Sequence, residues 1–454
     1  MLTSTMTVTF LGTSSGGGPS TSRNCSSLVA DVLGDNSLWM VDCAEGTLRQ
    51  FQLQPYSTDR SNLRLSQLKK IFITHMHVPI LRNLLFPVPV GPNAAELETL
   101  RKPVSFDCSF QEHPTIEIYG PAGIRTFVRS ILKMTLTRMS DKYVVHELLA
   151  PTDQVTSCEP EVMHANEVAG ENIFCSTEDG LWRGVTQGQG IFGPVVVDAG
   201  PIVHRDPCIG YVFREAVQPF RKIVILGDTC DPSAIMPLCI HPSPSLLIHE
   251  AADAHIPREI DPKARRPYNE VKEKAIARGH SLPEMAGAFA KTIGAQKLVL
   301  NHLGGRFPAP NSAEGYRLTS IRSNVIAEIE RQASEAWGMG TARAAWDFMR
   351  VAVPNPDLIS PQTAVNDQLI TQDQTQDSAS WSHPTANNTW ETSHTETRLD
   401  ASTTASPGRH RKREHWRTRP SRRDGDYRKR QYGDSDNVDL SQNRNHGAQM
   451  KRGS

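Results

Sequence analysis

The feature that most constrains this chain is an apolar stretch that ends in two alternating histidines, Ile71-Phe72-Ile73-Thr74-His75-Met76-His77. In an extended segment, residues i and i+2 point to the same side of the chain. Both imidazoles can therefore reach one ion while Met76 faces the other way. The stretch predicts a strand that delivers metal ligands at its carboxyl end.

Further candidate ligands stand at or beside the ends of other apolar strands. His204 comes just before one strand, and Asp228 and His302 each come just after another. A zinc site needs neutral imidazoles and carboxylates that a rigid frame holds close together. Together with His75 and His77, these residues predict a metal centre. Asp228 stands between a glycine and a threonine and is well placed to bridge two metals.

Strands and helices alternate along the chain without a regular period, which predicts an α/β layered fold. Apolar runs predict strands over 7–12, 28–31, 38–41, 115–119, 143–149, 194–198, 209–213, 222–226, 246–248, 297–300 and 345–353. Helices are predicted over 47–54, 79–86, 123–134, 283–292 and 321–336, and the segment 123–134 has helical periodicity. The polar region between 149 and 194 is predicted to be irregular.

The composition changes beyond Pro354, where apolar residues become sparse and Gln, Asn, Ser, Thr and Asp dominate. Such a segment cannot bury enough apolar surface to offset its ordering entropy. We therefore predict a folded domain over 1–355 and a disordered polar tail over 356–454. The basic segment 409–430 has eleven Lys or Arg against three acids. It is typical of a nuclear-import or RNA-contacting tail, and a solvated charge run is the alternative.

Two features bear on the compartment. The chain has no run of about 18 apolar residues, so no membrane contact is predicted, and its first residues have no basic region followed by an apolar one. The eight cysteines are scattered without Cys-x-x-Cys pairs, which argues against a disulfide framework and favours reduced thiols. The cytosol or the nucleus is expected, with mitochondria as an alternative.

Several short motifs, taken in order, resemble those of tRNase Z, the metallo-β-lactamase-fold endonuclease that removes the 3′ trailer from precursor tRNA. They are Phe10-Leu11-Gly12-Thr13, the polar loop 20–27, Asp42-Cys43-Ala44-Glu45-Gly46, Thr74-His75-Met76-His77, Gly227-Asp228-Thr229, His249-Glu250-Ala251, Gly279-His280-Ser281 and Asn301-His302. The resemblance covers roughly residues 6 to 353 and is greatest for the short form. It implies an αββα sandwich, two zinc ions, precursor tRNA as substrate and commonly a homodimer.

The resemblance also implies roles for individual residues. His75, His77 and His204 would hold the first zinc, Asp228 would bridge, and His302 would hold the second. By position, His280 and Glu250 match residues that assist proton transfer to the leaving oxygen. The implied reaction is two-metal hydrolysis of a phosphodiester that leaves a tRNA with a free 3′-hydroxyl.

The chain departs from the family pattern His-x-His-x-Asp-His, because Val78-Pro79-Ile80 follows His77 directly. The absent Asp and His are both second-zinc ligands in the family, so only Asp228 and His302 remain for that site. We expect weak binding of the second zinc and impaired hydrolysis. In addition, the link between two strands at 214–221 is short where the short form inserts a tRNA-gripping arm.

Three interpretations of this departure stay open. In the first, the missing Asp and His are a gene-model or splicing artefact, and the gene encodes an active nuclease. In the second, the chain is a catalytically inactive homologue that binds RNA or a partner subunit. The third interpretation is another metal-dependent phosphodiesterase on the same fold, which the missing arm favours.

Overall fold

A computed structural model of the chain describes residues 5–16, 18–55, 62–76, 115–136, 141–310 and 316–356. His77, the predicted helix at 79–86 and the predicted tail with its basic segment lie outside these residues. The division of the chain at residue 355 therefore stays a prediction.

The first sheet contains nine strands among the described residues. They are β1 (Met6–Gly12), β2 (Ser27–Asp31), β3 (Leu38–Cys43), β4 (Leu68–Phe72), β5 (Ile116–Pro121), β6 (Tyr143–Leu149), β7 (Glu167–Val168), β8 (Asn172–Phe174) and β16 (Arg350–Val353). Their order is β16-β1-β2-β3-β4-β5-β6-β7, and β8 also pairs with β6. The strands from β3 to β6 are parallel, so their carboxyl ends lie at one edge.

The second sheet contains seven strands in the same part of the chain. They are β9 (Trp182–Gly190), β10 (Gly193–Ile202), β11 (Cys208–Glu215), β12 (Lys222–Ile225), β13 (Leu246–Glu250), β14 (Leu298–Asn301) and β15 (Arg343–Ala344). The order is β15-β14-β13-β12-β11-β10-β9. The strands from β12 to β15 are parallel, whereas β9 to β12 pair antiparallel.

Helices cover the outer faces of both sheets. They are α1 (Thr47–Leu53), α2 (Ile124–Met134), α3 (Met236–Cys239), α4 (Tyr268–Ala277), α5 (Pro283–Thr292) and α6 (Tyr316–Trp337). Successive side chains at β4 point to opposite faces of the first sheet and therefore pack in two different cores. Phe72 packs in the core that both sheets share, whereas Ile71 and Ile73 pack in the core that includes α2. Residues of α5 and α6 pack on the second sheet, so the predicted αββα sandwich is confirmed.

Two of the sequence predictions were wrong. The region between 149 and 194 contains β7, β8 and β9, because backbone pairing to β6 and β10 makes strands of segments too polar and glycine-rich to show an apolar run. The strand predicted at 345–353 is shorter, because β16 covers only Arg350–Val353. The preceding strand β15 (Arg343–Ala344) lies before the predicted range and belongs to the other sheet.

The helix α4 was not predicted as a helix. Only Val271 and Ala275 of its residues are buried, so its apolar periodicity is weak. Among the described helices, none combines the length and the apolar character that a membrane crossing requires.

Candidate metal centre

The carboxyl ends of parallel strands from both sheets meet at one edge of the sandwich, the usual position of a ligand site in α/β proteins. His75 follows β4, Asp228 follows β12, Glu250 ends β13 and His302 follows β14. Two hydrogen bonds join the sheets beside His75. The Ile209 backbone N–H donates to the Thr74 carbonyl over 2.9 Å, and the Tyr211 hydroxyl donates to the Ile73 carbonyl over 2.8 Å.

The first ligand group consists of His75, His204 and Asp228, whose ligand atoms lie within 4.8 Å of one another. His75 Nε2 is 3.7 Å from Asp228 Oδ2. The Nδ1 atoms of both histidines are anchored on the protein. His75 Nδ1 lies 2.8 Å from the Thr74 hydroxyl, and His204 Nδ1 lies 2.8 Å from the Gly279 carbonyl. A histidine that donates from Nδ1 presents the Nε2 lone pair to a metal.

The Thr74 hydroxyl is fixed as an acceptor for His75 by a second hydrogen bond. It donates its own proton to Asp42 Oδ2 over 2.8 Å, while the Thr74 backbone N–H donates to Asp42 Oδ1 over 2.9 Å. The chain Asp42–Thr74–His75 therefore orients the imidazole from the end of the neighbouring strand β3.

Gly279 is required for the equivalent contact at His204. Its φ is +76°, and a Cβ atom there would lie 2.6 Å from His204 Nδ1. Glycine alone adopts this backbone readily and leaves room for the imidazole to reach the carbonyl. The glycine of the Gly-His-Ser motif thus positions His204.

The second ligand group consists of Asp228, His280 and His302, again with ligand atoms within 4.8 Å of one another. His302 Nε2 lies 3.1 Å from Asp228 Oδ2, and His280 Nδ1 lies 2.9 Å from Glu250 Oε1. Asp228 belongs to both groups, so its carboxylate stands between two sets of imidazoles.

Backbone and hydroxyl donors hold the residues around Asp228 in place. Glu250 accepts hydrogen bonds from the backbone N–H groups of Thr229, at 2.8 Å, and Ala252, at 3.1 Å. The Ser281 hydroxyl donates to the Thr229 carbonyl over 2.6 Å. The Gly-His-Ser motif is thereby tied to the loop that carries Asp228.

Burial and mutual charge set the ionisation of the two groups. Burial acts to raise the pKa of Asp228, but the charges of His302 and His75 outweigh it and hold that pKa well below its usual range. Burial acts to lower the pKa of His302, yet the Asp228 carboxylate raises it above its usual value. Asp42, desolvated and near Asp228, has a pKa raised to about 6. Burial raises the pKa of Glu250 and lowers that of His280.

Comparison with known proteins identifies the family, although no family model matches the chain. Ribonuclease Z of Streptococcus sanguinis (strain SK36) is 30% identical over 344 residues, which cover 72% of this chain and 99% of that protein. The chain belongs to the ribonuclease Z family. The resemblance inferred from the motifs is confirmed.

Two further similarities support membership in the ribonuclease Z family. Zinc phosphodiesterase ELAC protein 1 of Homo sapiens is 28% identical over 410 residues, or 77% of this chain and 99% of that protein. The crystal structure of human tRNase Z, short form, superposes with a TM-score of 0.50 at 28% identity, covering 77% of this chain and 99% of that one. Membership makes the chain a metal-dependent phosphodiesterase with a metallo-β-lactamase fold.

The donor set fits the metal of this zinc phosphodiesterase family. Imidazole nitrogens and carboxylate oxygens are the ligands that zinc takes besides thiolates. In the first group both imidazoles are held through Nδ1, and Asp228 is held in its charged form by its neighbours. These residues have the donor atoms of a zinc ligand set, and those atoms lie within 4.8 Å of one another.

His75, Asp228, His280 and His302 of the two ligand groups line a cavity of about 530 Å³. The cationic side chains of Arg205, Arg278 and Arg306 line it. The segments that follow Thr13 and Leu303 form part of its wall. The Leu303 N–H donates to the Thr13 carbonyl over 2.9 Å and so joins these two segments. The cavity beside this ribonuclease Z centre therefore offers guanidinium groups to an anion, alongside the carboxylates of Glu45 and Asp253.

The structure brings the predicted site residues together. His75, Asp228, His280 and His302 line the cavity, His204 belongs to the first ligand group, and Glu250 contacts His280. Their roles as ligands and proton carriers stay predictions. His77 lies outside the described residues. Sequence reasoning assigned no role to Asp42 or to the cavity arginines. The position of Asp42 at the end of β3, next to the histidine strand, was the available signal.

Proposed function

We propose that this chain is a zinc-dependent endoribonuclease that removes 3′ trailers from precursor tRNA by hydrolysis and leaves a tRNA 3′-hydroxyl. The observation that supports this most is the pair of ligand groups that share Asp228 beside a cavity that three arginines line. It occurs in a chain that is 30% identical to a protein named Ribonuclease Z. We further propose that the missing Asp and His make cleavage by this exact chain slow.

The proposed first zinc site consists of His75, His204 and Asp228, with His77 as a further ligand predicted from the sequence. Asp228 also contributes to a second site with His302. Bound zinc supplies Lewis-acid stabilisation of phosphate charge and lowers the pKa of water. The number of zinc ions is part of the proposal.

The cavity arginines bind the phosphodiester in this proposal. Guanidinium groups match phosphate oxygens in geometry and charge, and such contacts are independent of base sequence. A volume of about 530 Å³ falls within the range of small-ligand sites, so the cavity holds the nucleotides at the cleavage junction. The body of the tRNA then lies outside it.

His280 and Glu250 serve proton transfer in this proposal. Burial moves their pKa values toward each other, so the two side chains can share one proton across the 2.9 Å hydrogen bond. His280 gives a proton to the leaving 3′ oxygen, and Glu250 keeps the imidazole oriented. The Thr229 N–H, which donates to the same Glu250 oxygen, holds this carboxylate beside Asp228.

An inactive homologue that binds RNA or a partner subunit is the second candidate, and the missing Asp and His after His77 favour it. Sequencing of the transcript across the codons for His77 and Val78 tests its premise. Messages that carry codons for an Asp-His pair would show that this chain is a gene-model or splicing product. The homodimer and the cytosolic or nuclear location also stay predictions.

The decisive experiment incubates the purified full-length chain with zinc and a precursor tRNA labelled at its 5′ end. We expect a product that ends in a 3′-hydroxyl at the trailer junction, formed slowly, and none with Asp228→Asn. The matched control is His146→Gln, a half-buried histidine that stacks on Tyr119 away from the centre.

Two results would contradict the proposal. Zinc-loaded protein that binds precursor tRNA without cleaving it would identify the inactive homologue. Hydrolysis of a chromogenic phosphodiester, with precursor tRNA left intact, would identify another phosphodiesterase.

A further inference from the structure

The second metal site of this chain lacks two of the ligands that its family pattern supplies, since Val78 follows His77 directly. Asp228 and His302 alone are too few protein ligands to hold zinc tightly, because zinc sites in proteins use at least three. The described residues offer one more donor close to both. That donor is His280, whose ligand atom lies within 4.8 Å of those of Asp228 and His302.

We propose that His280 is a ligand of the second metal ion in this chain and forms a relocated site with Asp228 and His302. The inference rests on the proposed function only in taking the centre to be a zinc centre. It assigns His280 a second role beside proton transfer.

The distances support a shared metal. Two atoms that each lie about 2.1 Å from a tetrahedral zinc are about 3.4 Å apart. His302 Nε2 and Asp228 Oδ2, at 3.1 Å, are already close to that separation. The ligand atom of His280 lies within 4.8 Å of those two atoms. It must move by about an ångström to reach the tetrahedral separation, which is on the order of what rotation about a side-chain torsion supplies.

The partner of His280 also supports a ligand role. Metal-bound histidines nearly always donate their other ring N–H to a carboxylate, a carbonyl or a water. His280 Nδ1 lies 2.9 Å from Glu250, and two backbone N–H groups already donate to that carboxylate. His280 thus has the anchoring that His204 has at Gly279, and its Nε2 remains for the metal.

The position of the imidazole completes the geometry. The ring of His280 is close to those of both His204 and His302, with centroid distances of 5.1 Å and 5.6 Å. His280 therefore stands where the two ligand groups meet. A ligated Nε2 cannot also carry a proton to the leaving oxygen, so occupancy of the relocated site and proton transfer by His280 exclude each other. Excess zinc should inhibit cleavage.

The test measures zinc bound to the full-length chain by equilibrium dialysis and elemental analysis. We expect about two zinc ions per chain in the wild type and about one in His280→Ala and in His302→Ala. The control His146→Gln should keep both ions. Retention of the first ion, with an unchanged circular dichroism spectrum, shows that each variant is folded.

A second variant tests direct contact between residue 280 and the metal through a new signal, and not through a loss of bound zinc. His280→Cys places a thiolate donor at the same position, and cobalt bound there should give a sulfur-to-cobalt charge-transfer band that the wild type lacks. Two equivalents of zinc in His280→Ala, a wild type that binds only one, or cobalt-loaded His280→Cys without the band would each overturn the proposal.

The outcomes separate this inference from the proposed function. A chain that binds two zinc ions through His280 but leaves precursor tRNA intact supports the relocated site and refutes the nuclease. A chain that cleaves precursor tRNA and keeps its second zinc in His280→Ala refutes the relocated site alone.

Discussion

Both ends of strand β12 bury charged side chains, but they do so in different ways. At the amino end, Arg221 donates from Nε and Nη2 to Glu215 and from Nη1 to the Val353 carbonyl. Both side chains are about 4% exposed. At the carboxyl end, Asp228 is surrounded by imidazoles and lies near the carboxyl groups of Asp42 and Glu250.

The difference distinguishes buried charges that stabilise the fold from buried charges that bind a ligand. The guanidinium and carboxylate at the amino end neutralise and hydrogen-bond each other, so that end is complete without a ligand. At the carboxyl end several acceptor groups converge, and a bound cation would relieve their repulsion. Substitutions at the amino end should therefore affect folding, and substitutions at the carboxyl end should affect metal binding and catalysis.

The sharpest test of the carboxyl end is Asp228→Asn, which removes the charge that both ligand groups share. A bound metal contributes several kcal/mol of transition-state stabilisation, so we expect kcat/KM for precursor tRNA to fall by about a thousandfold or more. Elemental analysis should show loss of bound zinc. Urea unfolding of the metal-free proteins should show only the smaller loss of stability that follows from losing the contacts of Asp228 with His302 and His75. A large drop in stability would mean that Asp228 serves the fold.

The amino end is tested by Arg221→Ala. Breaking a buried ion pair leaves an uncompensated charge, which lowers the free energy of unfolding by about 3–5 kcal/mol. Denaturant unfolding measures this change, and Arg183→Ala, in an exposed pair with Asp179, is the control with little expected effect. Zinc bound per folded chain should not change. Loss of zinc from folded Arg221→Ala would show that the amino end of β12 also contributes to metal binding, contrary to this distinction.

A pH titration tests a buried histidine next to the centre that has no proposed chemical role. His249 is fully buried, its Nδ1 lies 2.8 Å from the Glu250 carbonyl, and burial lowers its pKa to about 4. Between pH 6.5 and pH 4 the unfolded chain binds the proton that folded His249 excludes. The stability of the metal-free chain therefore falls as the pH falls, by roughly 3 kcal/mol over this range from this residue.

His249→Gln is the matched variant for this titration. The difference in unfolding free energy between wild type and variant, measured at each pH, isolates the contribution of His249 from those of the neighbouring acids. A difference that is independent of pH would show that His249 is protonated in the fold.

The smallest expected effect is at the rim of the cavity. Arg278→Ala removes one phosphate-binding cation, so we expect KM for precursor tRNA to rise a few fold with kcat nearly unchanged. The slope of log affinity against log salt should decrease by about one charge. Lys274→Ala is the control, since Lys274 is paired with Glu270 within α4 and Arg278 directly follows that helix. A fall in kcat alone would place Arg278 in the chemical step.

The segments that sequence reasoning located best have strong local patterns. The predicted helix 283–292 matches α5 at both ends, because proline starts it and small apolar residues follow at helical spacing. Strand β12 is similar, since its four residues are all buried. By contrast, β9 was missed because it has few apolar residues and becomes a strand only through its hydrogen bonds to β10.

The sequence by itself determined which residue types could bind a metal and that they stand at strand ends. Such features depend on local spacing, because the backbone conformation of a short segment sets which side chains share a face. Tertiary structure alone decided which of these ends meet. His280 contacts Glu250 from 30 positions away, and Thr74 contacts Asp42 from 32 positions away. These contacts follow from the order of strands in the two sheets and from long-range backbone pairing, which no local pattern encodes.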